Sequence, residues 1–276
     1  MSKKFSVKLF LLFICVALTF NLTSCQRFKL LFSRSQDLNL DGYELVFYDE
    51  FNGDILDTSV WEYRKEGPVK NKDGINHPNQ VSVENGNLVI TGEYTQTEYG
   101  VGWHAAQVRL KEFYTYGYYE IRCIPNNSEC FWSAFWLQSP DSYIHEVSQG
   151  GVYGAEVDIF ETYKSHSLKT KNFITSMIHC NGSDDDPENI DSKRIVKTYV
   201  PNIRDEYTIF GLLWTEEEYI FYINGIETGR TSFASGTSRV PEEVIVSLCI
   251  PEKITLDKSE TTRFLVDYVK IYQMKK

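Results

Sequence analysis

Six consecutive residues, Glu156-Val157-Asp158-Ile159-Phe160-Glu161, carry three carboxylates with only apolar residues between them. In an extended strand, alternate side chains share a face. Glu156 and Asp158 then point one way, and Val157 and Ile159 the other. Strict alternation sends Glu161 to the apolar side. One extra residue, a β-bulge around Ile159-Phe160, returns it to the side of Glu156. Like charges on one strand face repel, which raises pKa values or forces proton sharing. Hydrolysis of a glycoside with retention uses such a set. It needs one ionised carboxylate as nucleophile and one protonated carboxyl as acid, roughly 5–5.5 Å apart. A third acid between them can hydrogen-bond the nucleophile and keep the two pKa values separate. The same string also fits a solvated acidic strand face or part of a calcium site. The apolar alternates and the flanking sequence favour chemistry.

The elements that would position these acids read as strands. Short runs rich in Val, Ile, Tyr and Phe recur at 43–48, 81–83, 88–91, 116–124, 173–179, 209–214, 219–223, 244–248 and 264–272. Asn, Gly, Asp and Pro bound them. Asn85-Gly86 and Asn224-Gly225 are hairpin-turn signals. No amphipathic helix of three turns stands out, nor any repeat of fixed period. A single all-β domain of sandwich or jelly-roll type is expected.

Phe131-Trp132-Ser133-Ala134-Phe135-Trp136-Leu137 puts Trp132, Ala134 and Trp136 on one strand face. Flat aromatic rings suit the C–H face of a pyranose, so such a line suggests a sugar path. Plain core packing explains Trp136 and Trp214 equally well. Trp132 and Trp103 lie nearer loops and are read as cleft residues.

The N-terminus carries Lys3, Lys4 and Lys8, then an apolar run over 9–20, then Leu22-Thr23-Ser24-Cys25. This order describes a secretory signal too short for a comfortable membrane span. L-T-S-C resembles a bacterial lipobox. The expected organisation is a signal peptide over 1–24, a lipidated Cys25 with a tether over 25–41, and one domain over 42–276. An ordinary signal peptide with an incidental cysteine is the alternative. Losing 1–24 removes three lysines and no acid, and moves the net charge from −10 to −13. That balance argues against nucleic acid as partner, and weakly against a highly sulfated or carboxylated polymer. The protein is expected outside the cytoplasm, held to a bacterial membrane and facing the periplasm or the cell exterior, as a monomer. Cys123, Cys130, Cys180 and Cys249 remain, with no C-x-x-C pair to suggest zinc. Cys123 and Cys130 fit either a disulfide or buried thiols.

From about residue 43 to residue 273 the chain resembles glycoside hydrolase family 16. Phe47-Tyr48-Asp49-Glu50-Phe51-Asn52-Gly53, Tyr116-Gly117-Tyr118-Tyr119-Glu120-Ile121-Arg122, the Trp132–Leu137 segment and Val266-Asp267-Tyr268-Val269-Lys270-Ile271-Tyr272 carry the likeness. E-V-D-I-F-E matches the family's bulged signature of laminarinase-like members. The resemblance implies an all-β, two-sheet jelly roll with a concave substrate cleft, and retaining hydrolysis without a cofactor. It makes Glu156 the nucleophile, Glu161 the acid/base and Asp158 their assistant. It further implies that Arg109 and His179 bind substrate, with a surface salt bridge and a structural histidine as their respective alternatives. In some members a structural calcium is held at positions matching Glu50 and Asp267. The implied substrate is a β-linked polysaccharide, first a laminarin-like β-1,3-glucan or mixed-linkage β-glucan. A galactan, a host O-glycan, or glycan binding without turnover are the alternatives. Ser133 replaces a usual proline. Ser247-Leu248-Cys249 departs from a usual Asn-Leu strand. The loops 139–155 and 182–194 are where substrate choice would be made.

Overall fold

In a computed structural model, residues 38–128, 130–139, 151–162, 172–180, 191–232 and 236–276 are described. The leader, Cys25, most of the tether and most of the loops 139–155 and 182–194 lie outside these residues. Strands follow in the order β1 Tyr43–Asp49, β2 Trp61–Tyr63, β3 Gly67–Pro68, β4 Ile75–Asn76, β5 Val81–Glu84, β6 Asn87–Thr97, β7 Gly100–Ala105, β8 Gln107–Leu110 and β9 Gly117–Ile124. They continue as β10 Trp132–Gln138, β11 Glu156–Glu161, β12 Phe173–Cys180, β13 Asp191–Tyr199, β14 Thr208–Trp214, β15 Tyr219–Ile223, β16 Ile226–Thr231, β17 Glu243–Cys249 and β18 Thr261–Met274. The only helical turn among the described residues is Pro78–Gln80.

Two sheets face each other. The larger runs β16-β15-β14-β9-β18-β6-β7-β4-β3, with β1 also on β18 and β5 also on β6. The smaller runs β13-β12-β11-β10-β17-β8-β2. Alternation sorts their side chains. Phe135, Leu137, Val157, Phe160, Val246 and Leu248 from the smaller sheet meet Ile90, Ile121, Phe210, Phe264, Val266 and Val269 from the larger in one core. Phe160 stacks on Phe210 at 4.1 Å between ring centroids. Asn85 (φ 51°) and Asn224 (φ 50°), each followed by a Gly of positive φ, close the β5–β6 and β15–β16 hairpins as the sequence predicts.

The family-like motifs have structural reasons. Asp49 accepts from the Trp61 indole (2.8 Å) and from the Phe51 N–H (2.8 Å), which fixes the chain as it leaves β1. Gly117 has φ +119°, and a Cβ there would lie 2.2 Å from the Tyr272 carbonyl. Glu120 accepts from Tyr118 (2.9 Å) and Tyr268 (2.8 Å), and Arg122 pairs with Asp267 (2.5 Å). These pairs bind β9 to β18 on the outer face of the larger sheet.

Candidate active site

The pairing of β10 with β11 sets Phe135 opposite Phe160 and Trp136 opposite Asp158, so Ile159 is the extra residue of a bulge. The apolar side of that strand explains its choice of residues. Val157, Ile159 and Phe160 are all buried in the core, and only a bulge lets both Ile159 and Phe160 enter it. Glu161 thereby returns to the face of Glu156 and Asp158. All three carboxylates line one cleft of about 420 Å³ on the outer face of the smaller sheet.

The cleft floor is built from β10, β11 and β17. Trp132, Ala134 and Trp136 line it, as alternation predicts. The Trp136 indole donates to Ser247 Oγ at 3.0 Å, so the serine that departs from the family pattern is occupied as a support. Cys249 also lines the floor, and burial pushes its thiol up to about 12, leaving it protonated at neutral pH. The facing wall comes from the larger sheet: β3, β4 and residues between them, with Lys65, Lys70 and Lys72. Lys72 Nζ lies 5.8 Å from the Trp132 ring centre.

His179 stands opposite Glu156 in the β11–β12 register. Its Nε2 is 3.3 Å from Asp158 Oδ2, and its Nδ1 is 2.7 Å from Ser192 Oγ. Burial alone would depress its pKa. The hydrogen bond to Asp158 and the charges of Asp158 and Glu156 outweigh that and raise it to about 8. Donor atoms of Glu156, Asp158 and His179 lie within 4.8 Å of one another, the one such set among the described residues. With Nε2 paired to Asp158 and Nδ1 to Ser192, the histidine is set to hold and pass a proton beside the two acids.

One sequence expectation needs correction. Trp103 is not in the cleft: it is buried in the core, edge-on to Tyr94 and Phe131. Arg109 shows the ion pairing of its alternative reading: it is paired with Glu62 and with Glu243 (2.6 Å) and lies over Phe113. The two positions matched to a structural calcium, Glu50 and Asp267, each have partners within the protein. Asp267 is neutralised by Arg122, and Glu50 accepts from Tyr48 and Asn52. Cys123 and Cys130 are buried free thiols, which leaves the disulfide reading unfilled. Trp214 is fully buried, in line with its core reading. The sequence reading missed Gln138, Arg64 and Glu243. Gln138 Nε2 donates to Glu156 Oε2 at 2.6 Å.

Residues 46–274 match the family model described as the GH16 domain of beta-porphyranases A–D. The chain is 26% identical over 264 residues to the endo-1,3-1,4-beta-glycanase ExsH of Rhizobium meliloti (strain 1021), covering 83% of this chain and 51% of that protein. It therefore spans about half the length of that relative. SCLam, a non-specific endo-beta-1,3(4)-glucanase from family GH16, superposes with a TM-score of 0.69 at 22% identity, over 88% of this chain and 95% of that one. A structure described with endo-acting O-glycanases that members of the human gut microbiota express to initiate mucin breakdown gives 0.69 at 17%, over 87% and 94%. At these identities the two structures show a shared fold.

Proposed function

This chain belongs to the beta-porphyranase A–D family of GH16 domains, and on that premise we propose that it is a retaining endo-glycosidase acting on a β-linked polysaccharide. The observation that carries the reading is the bulged strand, which gathers Glu156, Asp158 and Glu161 in one cleft beside Trp132 and Trp136. Glu156 attacks the anomeric carbon while Glu161 protonates the departing glycosidic oxygen. The bond between carbon and that oxygen breaks as a glycosyl–Glu156 ester forms. Glu161, now ionised, takes a proton from water, whose oxygen displaces Glu156 and regenerates both carboxyls. Asp158 lies beside the nucleophile and pairs with the protonated His179, whose positive charge offsets the two carboxylates between steps.

A β-1,3- or mixed-linkage β-glucan is the first substrate, supported by the activities named for ExsH and SCLam. The name of the matching family model, a beta-porphyranase, favours a galactan as the second reading. The L-T-S-C sequence supports a lipid anchor at Cys25 and a place on the outer side of a bacterial cytoplasmic or outer membrane. A Cys25→Ala protein that leaves the membrane fraction would support the anchor; one that stays there would overturn it.

The deciding experiment incubates residues 26–276 with neutral β-glucans, galactans and mucin glycans, with Glu156→Gln alongside, and sizes the products. Oligosaccharides from one polymer class, absent with Glu156→Gln, are the expected result. No product from any polymer, with binding of one intact polymer kept in both proteins, would leave a glycan-binding module instead.

A further inference from the structure

A row of polar side chains crosses the smaller sheet through the nucleophile. The strand registers place Glu243 opposite Gln138, Gln138 opposite Glu156, Glu156 opposite His179 and His179 opposite Ser192. Glu156 thus has an amide on one side and an imidazole on the other. The imidazole is held by Asp158 and Ser192. The amide is held more elaborately.

Gln138 is buried and donates Nε2 to Glu156 Oε2 at 2.6 Å. A glutamine can present either end of its amide, and Arg64 settles which. A guanidinium only donates, so Gln138 Oε1 turns to Arg64 Nη2 and Nε2 is left for the carboxylate. Arg64 cannot drift. Its Nε donates to Glu243 Oε2 at 2.8 Å, its Nη1 to Gln107 Oε1 at 3.2 Å, and its Cζ lies 4.9 Å from the Trp136 ring centre. Glu243 is pinned in turn by Arg109 at 2.6 Å, and Arg109 by Glu62. The two arginines and two glutamates cancel in charge, which makes the buried network tolerable.

We propose that Gln138 is a positioning residue for the nucleophile Glu156, and that Arg64 sets the orientation of its amide. The inference rests on the glycosidase reading above. A short bond from a buried donor favours the ionised carboxylate and fixes its rotamer. Both effects keep the nucleophile charged and aimed, and cooperative polarisation by Arg64 strengthens the bond. Other charged groups also face Glu156: Asp158 and Glu161 on its own strand, His179 on β12, and Lys65, Glu66, Lys70 and Lys72 on the facing wall. The test therefore changes the amide and leaves these in place.

Gln138→Leu removes the donor at similar volume. Its kcat should fall roughly tenfold to a hundredfold with KM within about twofold, because a misaimed nucleophile is felt in the bond-making step. The acid limb of its kcat/KM profile should rise by about one pH unit, as the carboxylate loses a bond to its charged form. Arg64→Lys, which keeps a donor and a charge, should retain more activity than Arg64→Leu. Carbon-13 NMR titration of the Glu156 carboxyl, assigned through Glu156→Gln, reads the same pKa rise without substrate. An unmoved carboxyl titration in Gln138→Leu, with only the melting temperature lowered, would overturn the inference and leave Gln138 as packing. Wild-type protein without turnover would overturn the glycosidase reading instead, and the titration would still decide this inference.

Discussion

His179 shows how one contact sets a pH window. It pairs with Asp158 and is raised to about 8 from an ordinary 6.5, against the pull of burial. Below 6.5 the folded and unfolded states both hold the proton, and the stabilisation is fully present. As pH rises through about 8 the folded imidazolium is lost, and the stabilisation goes with it. The side chain is only 24% exposed, so the pair is weakly screened, and the difference amounts to about 2 kcal/mol. Urea unfolding of wild type should show that loss between pH 6.5 and pH 9, and His179→Asn should lose about 2 kcal/mol less over the same range. Activity should share the window. Without the cation, Asp158 and Glu156 lose the positive charge that lies beside them and repel more strongly. The kcat/KM profile of wild type should fall through pH 8. A His179→Asn profile with the same limb at the same pH would show that another group is responsible.

The entrance to β11 depends on a second unusual acid, the residue just before β17 and next to Glu243 of the network around Gln138. Glu242 is fully buried, accepts from the Ala155 N–H at 3.2 Å, and has Oε2 among the buried atoms that lack a partner. Burial raises its pKa to about 8 from an ordinary 4.5, so it folds in as a neutral acid. Between those values the folded state holds a proton that the unfolded state has released. Stability should therefore fall as pH rises across that window, by about 1.4 kcal/mol per unit. Glu242→Gln keeps the acceptor and cannot ionise, so its melting temperature should change little from pH 5 to pH 6.5, below the window of His179, while that of wild type declines. Parallel curves would show that Glu242 is not the source. Nothing in the sequence marks Glu242 as buried and Glu243 as networked, since adjacent acids read as a charged strand end. What could be read was local: the bulge from three acids and their apolar neighbours, the turns from Asn-Gly, and the Trp132–Trp136 face from alternation. Strands of two or three residues, such as β2, β3 and β4, carry no period to detect. The places of Arg109 and Trp103 were set by tertiary partners distant in sequence, Glu243 and Phe131 among them. Gln138 was invisible for the same reason, since its role exists only once Arg64, Glu243 and Glu156 are brought side by side.

At the scale of the whole molecule, the cleft belongs to neither sheet alone. Its floor is the outer face of the smaller sheet. Its wall is the β3–β4 end of the larger one, which reaches round to the same side. Lys72 over Trp132 is a contact between the two. A sugar ring stacked on Trp132 must share that face with the ammonium, which stays in place over an edge or withdraws. Either way the two side chains act on one sugar by stacking and charge, not on the breaking bond, and their effect should be uniform binding. Trp132→Ala should raise KM roughly tenfold with kcat within about twofold, the size expected for one lost stacking surface. Lys72→Met should raise it less. The double variant is the informative one. If both residues hold the same sugar, its KM should match that of Trp132→Ala alone, because the ammonium has no ring left to work through. Strict additivity would place Lys72 at a different sugar, and the wall and floor would then be separate binding surfaces.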